Sequence, residues 1–352
     1  MNKKFLKELC ETISPSGSEQ QAAKCWMSEA KKITDDVWCD VMGSSHAVIN
    51  KDAKIKVVLM GHYDELGFII QNIDSEGFLT ISGLGGWDTR IFMGQHVKII
   101  GTDNKIIYGV VGQNAIHLMD MPERDKTPKF RDLFIDIGAK NKEDAEKLVS
   151  VGDIGVVDHK FTELQNNNFA SRGLDDKTGA FVVLEVLRAL SKQKINVCVE
   201  AVATAQEEVG AFGARVSAYA SDAQIGIAVD VTHSSDYPTS KMKSRADIKL
   251  GGGAVITRGL PTHPKLFALL KKTAQEKNIT HQFAASNSPF GTDAGQIAPS
   301  KSGVITALIS TPNRYMHSPS EVCNWNDLQA EIDLIVETIA GIDEKTDFSF
   351  VD

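Results

Sequence analysis

His62, Asp64 and Glu65 follow the apolar run KVVLM, and Asp175 and Asp176 follow FASRGL. Glu207 and Glu208 follow VEAVATAQ, Asp230 follows GIAV, and His317 follows ALISTPNRYM. Singly, each has an ordinary use. A histidine makes a structural hydrogen bond, LDDKTG caps a helix start, and EEVG is a solvated turn. Together they crowd several carboxylates at one place, where they repel one another unless a cation joins them. Two imidazoles with three or more carboxylates suit zinc, cobalt or manganese better than any ion that prefers thiolates. Two such ions about 3.5–4 Å apart need one carboxylate to bridge them and an open place for water. Adjacent glutamates divide that work: Glu208 ligates while Glu207 stays free to take a proton.

A sheet that gathers strand ends would bring these residues together, because ligands bind at the carboxyl ends of strands in open α/β sheets. IKVVLM, INVCVEAVA, IGIAVDV and GVITALIS are continuous apolar runs of the kind expected in strands buried on both faces. TGAFVVLEVLRALSKQ, PKLFALLKKTAQEKN and DLQAEIDLIVETIAGI have helical apolar spacing. SPSGSEQQAAKCWMSEAKKI reads as a loop followed by a helix, with Ser16 and Glu19 at capping-box spacing. The expectation is an α/β fold, its mostly parallel or mixed sheet flanked by helices. Residues 71–161 differ. GFLTISGLGG, HVKIIGTDNKIIYGVVG and DLFIDIGA are short β-type runs split by Gly, Asp and Asn turns. This predicts a small β-rich domain inserted between residues 1–70 and 162–352.

Composition narrows the class. The 352 residues are 42% hydrophobic and 24% charged, which fits a globular protein. A net charge of -8 without a basic block gives no general attraction to nucleic acid or anionic lipid. Lys7 and Glu8 interrupt any apolar signal sequence, and Glu185 and Arg188 interrupt the richest later run. Five cysteines without a CxxC argue against a disulfide framework or zinc ribbon, so the cytoplasm is the expected compartment.

The chain also carries SPSGSE, GHYDELGF, GFLTISGLGGWDTRIFMGQHV, DLFIDIGA, VGDIGVVD, LDDKTG, EEVGAFGA, DVT, GTDAG and RYMHSPSEV in that order. In these it resembles the tetrahedral (TET) aminopeptidases, a family that includes glutamyl and deblocking aminopeptidases and some members labelled endoglucanases. The resemblance covers nearly the whole chain. It implies a phosphorylase/hydrolase-like catalytic domain and an inserted domain that pairs subunits into dimers, which build a hollow dodecamer. It implies two divalent ions per subunit, zinc first, with Asp175 bridging, His62 and Asp230 completing one site, and Glu208 and His317 the other. It makes Glu207 the general base and Asp64 the carboxylate that orients His62. Gly291, Thr292 and Asp293 would line the substrate side, and a non-proline cis peptide would join Asp175 to Asp176.

The reaction implied is hydrolysis of the N-terminal bond of short peptides. Two rivals share the chemistry in part. Glycoside hydrolysis also uses paired carboxylates but leaves the two histidines without a purpose. A deacylase or carboxypeptidase would use the same two ions. A non-catalytic assembly protein is a third reading, which the complete ligand set opposes. Thr239 and Ala254 stand where relatives tend to have glycine and proline; both flank the expected cleft, and neither is an expected ligand. His233 needs no place in the metal set and is expected to pack nearby.

Overall fold

A computed structural model of the chain describes residues 1–241, 246–287 and 291–351. The apolar runs form the middle of an eight-stranded mixed sheet. Across the sheet the order is Val37–Cys39, Ser45–Ile49, Val197–Thr204, Ile55–His62, Ile225–His233, Ile305–Asn313, Ala254–Gly259 and His281–Ser286. The central four strands are parallel, and Ser45–Ile49 and Ala254–Gly259 run antiparallel to their inner neighbours. Alternate residues serve opposite layers, as the pleat demands. Val57, Leu59, Val199, Ile227 and Ile309 enter the larger core, shared with Leu174–Leu190 and Trp325–Ala340. Val58, Met60, Val202, Ala228 and Leu308 enter a smaller core on the other face, with Phe212–Ser221 and Ala294–Ile297. Burial on both faces is why these strands read as unbroken apolar runs.

The β-rich region closes into a six-stranded antiparallel barrel running from Gly67 to Val157. It has its own core, with Phe68, Phe92, Val97, Ile99 and Ile135 buried together. Closure leaves no unpaired strand edge. The barrel's first strand starts just beyond His62, so one rim stays beside the end of the central sheet. Among the described residues, no helix is long and apolar enough to cross a membrane.

One local expectation fails. The helix Gln20–Ala30 has Glu19, not Ser16, at its N-cap. The Ser16 hydroxyl donates instead to Asp64 Oδ2 at 2.6 Å, so a distant carboxylate outcompetes the local helix end. Ala254 begins an inner strand, and its N–H donates to the Thr280 carbonyl at 3.2 Å, a bond that a proline lacks.

Candidate active site

Three parallel strands, one helix start and one loop deliver the acidic and imidazole side chains to one place. His62 ends its strand, Asp230 lies near the end of the next, and Glu207 and Glu208 occupy the turn after Thr204. Asp175 and Asp176 open the helix Leu174–Leu190, and a non-proline cis peptide joins them. His317 lies on the loop between Ile305–Asn313 and Glu321–Asn324.

Two groups of donor atoms result, each gathered within 4.8 Å: His62, Asp175 and Asp230, and Asp175, Glu208 and His317. Asp175 belongs to both. Its Oδ1 faces His62 Nε2 at 3.2 Å, and its Oδ2 faces His317 Nε2 at 3.3 Å. Glu208 Oε2 is 3.4 Å from the same His317 nitrogen, and Glu208 Oε1 is buried without a hydrogen-bond partner. Glu207 Oε2 lies 3.7 Å from His62 Nε2. The other ring nitrogens point outward. His62 Nδ1 meets the Asp64 carbonyl at 3.1 Å and Asp64 Oδ1 at 3.4 Å. His317 Nδ1 meets the Gly86 carbonyl of the barrel rim at 3.0 Å. Both partners hold the imidazoles with Nε2 turned inward, the arrangement metal-binding histidines use. A Cβ at residue 86 would stand 3.1 Å from His317 Nδ1, so glycine there permits the close approach.

The electrostatics call for cations. Burial raises Glu207 to about 9 and Glu208 to about 8, with Asp230 and Asp175 respectively adding like-charge repulsion. Burial and then Asp175 push Asp230 well above the carboxylate range. Asp175 is the exception: burial opposes its charge, but hydrogen bonds from His317 and His62 hold it below that range. The bond to Asp175 lifts His317 to about 10. Burial opposes protonation of His62, and bonds to Asp175 and Asp64 override it. Imidazolium protons thus flank Asp175 where cations would neutralise the same charges. The donor set, the doubly faced Asp175 and the orphaned Glu208 oxygen all fit a pair of divalent ions.

A second layer holds backbone rather than metal. Asp64 accepts the N–H groups of Glu207 at 2.9 Å and Glu208 at 3.2 Å. Asp176 accepts the His62 N–H at 3.2 Å. Glu321 accepts the N–H groups of Asp175 at 3.0 Å and His317 at 2.9 Å. Glu65 turns away from the cluster and pairs with Arg172 and with Lys177 Nζ, the latter at 2.7 Å. Burial disfavours its charge, but the two cations hold it at about 2. Local sequence gives Glu321 no role, although it lies in RYMHSPSEV four residues past His317. Gly86 also lies within a motif without a role, and spacing alone reads Ser16 as a helix cap.

Asp293 is buried; its Oδ2 accepts the Thr204 hydroxyl at 2.6 Å, and burial lifts it to about 6. Thr292 Oγ1 is buried without a partner, whereas Gly291 is exposed. His233 is exposed at the end of its strand, paired in register with Asn313. Thr239 is exposed as well.

The family model of M42 glutamyl aminopeptidases matches residues 43–334. The chain is 32% identical over 333 residues to the lysyl aminopeptidase of Pyrococcus furiosus, covering 94% of each. Its structure resembles that of the TET aminopeptidase from Thaumarchaeota archaeon SCGC AB-539-E09 with a TM-score of 0.92, at 30% identity over 97% of both chains. The Pyrococcus horikoshii TET1 peptidase, which can assemble into a tetrahedron or a large octahedral shell, gives a TM-score of 0.85 at 29% identity. That match covers 96% of this chain and 99% of the other. A donor set suited to divalent ions, on a fold shared end to end with these enzymes, leads to one assignment: the chain belongs to the M42 glutamyl aminopeptidase family and is a metal-dependent hydrolase of peptide bonds.

Proposed function

We propose that the chain removes the N-terminal residue of short peptides at a site for two divalent cations. His62, Asp175 and Asp230 would hold one, and Asp175, Glu208 and His317 the other. The observation that carries this reading is Asp175, whose two oxygens face two different imidazoles. Zinc is the first candidate, with cobalt or manganese as alternatives. Bound there, the cations would polarise the scissile carbonyl and make a water acidic enough to lose a proton near neutrality. Glu207 takes that proton as the water oxygen attacks the carbonyl carbon, and returns it to the leaving nitrogen as the C–N bond breaks. Asp64 keeps the His62 ring in place and anchors the backbone of the Glu207 turn. Gly291, Thr292 and Asp293 line the substrate side. Glycoside hydrolysis is not favoured, because it gives the two imidazoles no task.

The 71–161 insertion is proposed to pair subunits, with dimers building a dodecamer. The exposed Tyr108, Ile116, Leu118 and Met121 in that region support a role in self-association, as does the assembly of the Pyrococcus horikoshii relative. All five cysteines are free, in keeping with a cytoplasmic setting.

Glu207→Gln tests the base. Metal content should stay at two ions per chain while turnover falls by about 10²–10⁴-fold. Near-native turnover in that variant would refute the assignment.

A further inference from the structure

The SPSGSE segment supplies no ligand, yet it is built into the turn that carries Glu207. Three consecutive backbone N–H groups of that turn each end on a carboxylate. Gln206 N–H donates to Glu19 Oε1 at 3.2 Å, Glu207 N–H to Asp64 Oδ1 at 2.9 Å, and Glu208 N–H to Asp64 Oδ2 at 3.2 Å. The Ser16 hydroxyl fixes Asp64 by donating to Oδ2 at 2.6 Å, the same oxygen that receives Glu208. Glu19 Oε1 is itself held by the Gly17 N–H at 2.7 Å.

The segment is also docked beside the chain that follows His62. Glu65 N–H donates to the Ser14 carbonyl at 3.0 Å and Ser16 N–H to the Glu65 carbonyl at 3.3 Å. The Ser14 hydroxyl donates to the Tyr63 carbonyl at 2.8 Å. Residues 14–19 and 63–65 therefore form one braced piece, and the Glu207 turn hangs from it. The turn needs such support. Gln206 has φ +59°, in the left-handed region that non-glycine residues rarely hold without help.

We propose that Ser16 and Glu19 are positioning residues that set the Glu207–Glu208 turn against His62. Ser16 acts by locking the Asp64 carboxylate, and Glu19 by holding the first N–H of the turn. Neither belongs to the two groups of donor atoms, and Ser16, Glu19 and Asp64 are all buried. A base must lie within hydrogen-bond reach of the proton it takes, and a misplacement of about 1 Å costs on the order of 100-fold in rate. The consequence falls on kcat, not on KM.

This inference rests on Glu207 belonging to the catalytic machinery, and the experiment keeps the two ideas apart. Ser16→Ala, Ser16→Thr and Glu19→Ala are prepared in the full-length chain loaded with zinc. Steady-state kinetics on a free-amine aminoacyl substrate is then paired with elemental analysis. Ser16→Ala should lower kcat by about 10–100-fold, with KM within about two-fold and two ions retained. Ser16→Thr should recover most of the loss, because it restores the hydroxyl. In an Asp64→Asn background, Ser16→Ala should add less than about two-fold, since its route through Asp64 is already broken. Glu19→Ala should lower kcat in the same way, and it reads the second arm if Ser16→Ala does not fold. Native kcat in Ser16→Ala and Glu19→Ala would overturn the proposal. So would a loss that follows missing metal, or one that persists in full beside Asp64→Asn. Retained turnover in Glu207→Gln would overturn the base and leave the strap to be judged by its own variants.

Discussion

Gly61→Ala perturbs the site from beneath without changing any group that bears chemistry. Gly61 precedes His62 and lies against the start of the Asp175 helix. A Cβ there would stand 2.4 Å from the Gly179 carbonyl carbon, 2.7 Å from Ala180 N and 2.8 Å from the Gly179 oxygen. Ordinary contact begins near 3.4 Å, so strand and helix must part by about 1 Å. Backbone atoms on both sides leave no flexible side chain to absorb the strain. Overpacking of this kind costs about 1–3 kcal/mol. At about 2–4 °C per kcal/mol for large domains, the melting temperature should fall by about 2–12 °C. The same movement separates His62 from the helix start that carries Asp175 and Asp176, opening the 3.2 Å contacts of His62 with both. Metal sites tolerate about 0.2 Å in their ligand distances, so affinity should drop by at least about ten-fold. Thermal melts of the metal-free protein measure the first effect, and chelator competition on folded protein measures the second. A variant with parental melting temperature and chelator midpoint would refute the claim that this contact sets the ligand spacing.

Asp175→Ala should lose both ions together, because it belongs to both donor groups; elemental analysis finding two ions would contradict the bridge. Metal-restored cleavage should be confined to free-amine peptides, and equal cleavage of N-acetylated peptides would point to a deacylase. Burial alone would raise Glu65, yet Arg172 and Lys177 hold it at about 2 against an ordinary 4.5. A depressed carboxylate stabilises the fold above its unfolded value, and that contribution disappears as pH falls from about 4.5 to about 2. The shift corresponds to about 3 kcal/mol. Urea unfolding at pH 6 and pH 3 should therefore show a weaker pH dependence in Glu65→Gln than in the parent, and an unchanged one would contradict the role of the ion cluster.

Much of the fold and site is visible in the chain because strong apolar runs end where the chemistry begins. His62 ends, Asp230 lies near the end of, and the Glu207–Glu208 pair follows a strand buried on both faces, and that local pattern marks their place. The β-rich insertion is visible through its short runs and polar turns. What stays hidden is the direction of side chains whose partners lie far along the chain. Ser16 and Asp64 are 48 residues apart, Glu321 and Asp175 146, and Arg172 and Glu65 107. Local spacing even misleads: Ser16 and Glu19 match a capping box, but the buried Asp64 carboxylate is the stronger acceptor for that hydroxyl. Glu65 stands beside His62 and Asp64 in HYDE, and only the fold shows it serving Arg172 and Lys177.

The two donor groups share Asp175 but differ in burial, and that difference predicts the order of metal loss. The His62 side chain is 2% exposed, and its group draws on two strands and a helix start packed in the main core. The His317 side chain is 36% exposed, lies on a loop with φ +60° at His317, and leans on the Gly86 carbonyl of the barrel rim. A ligand on a loop that reaches water releases its ion more easily than one locked by packing. Graded chelation should therefore remove one ion at lower chelator concentration than the other. His317→Ala should keep about one ion per chain, and His62→Ala should disturb both, because its removal also uncouples Asp175 from the strand. Loss of both ions at a single chelator midpoint, or a His317→Ala protein that keeps two, would show that the shared carboxylate, and not burial, governs retention.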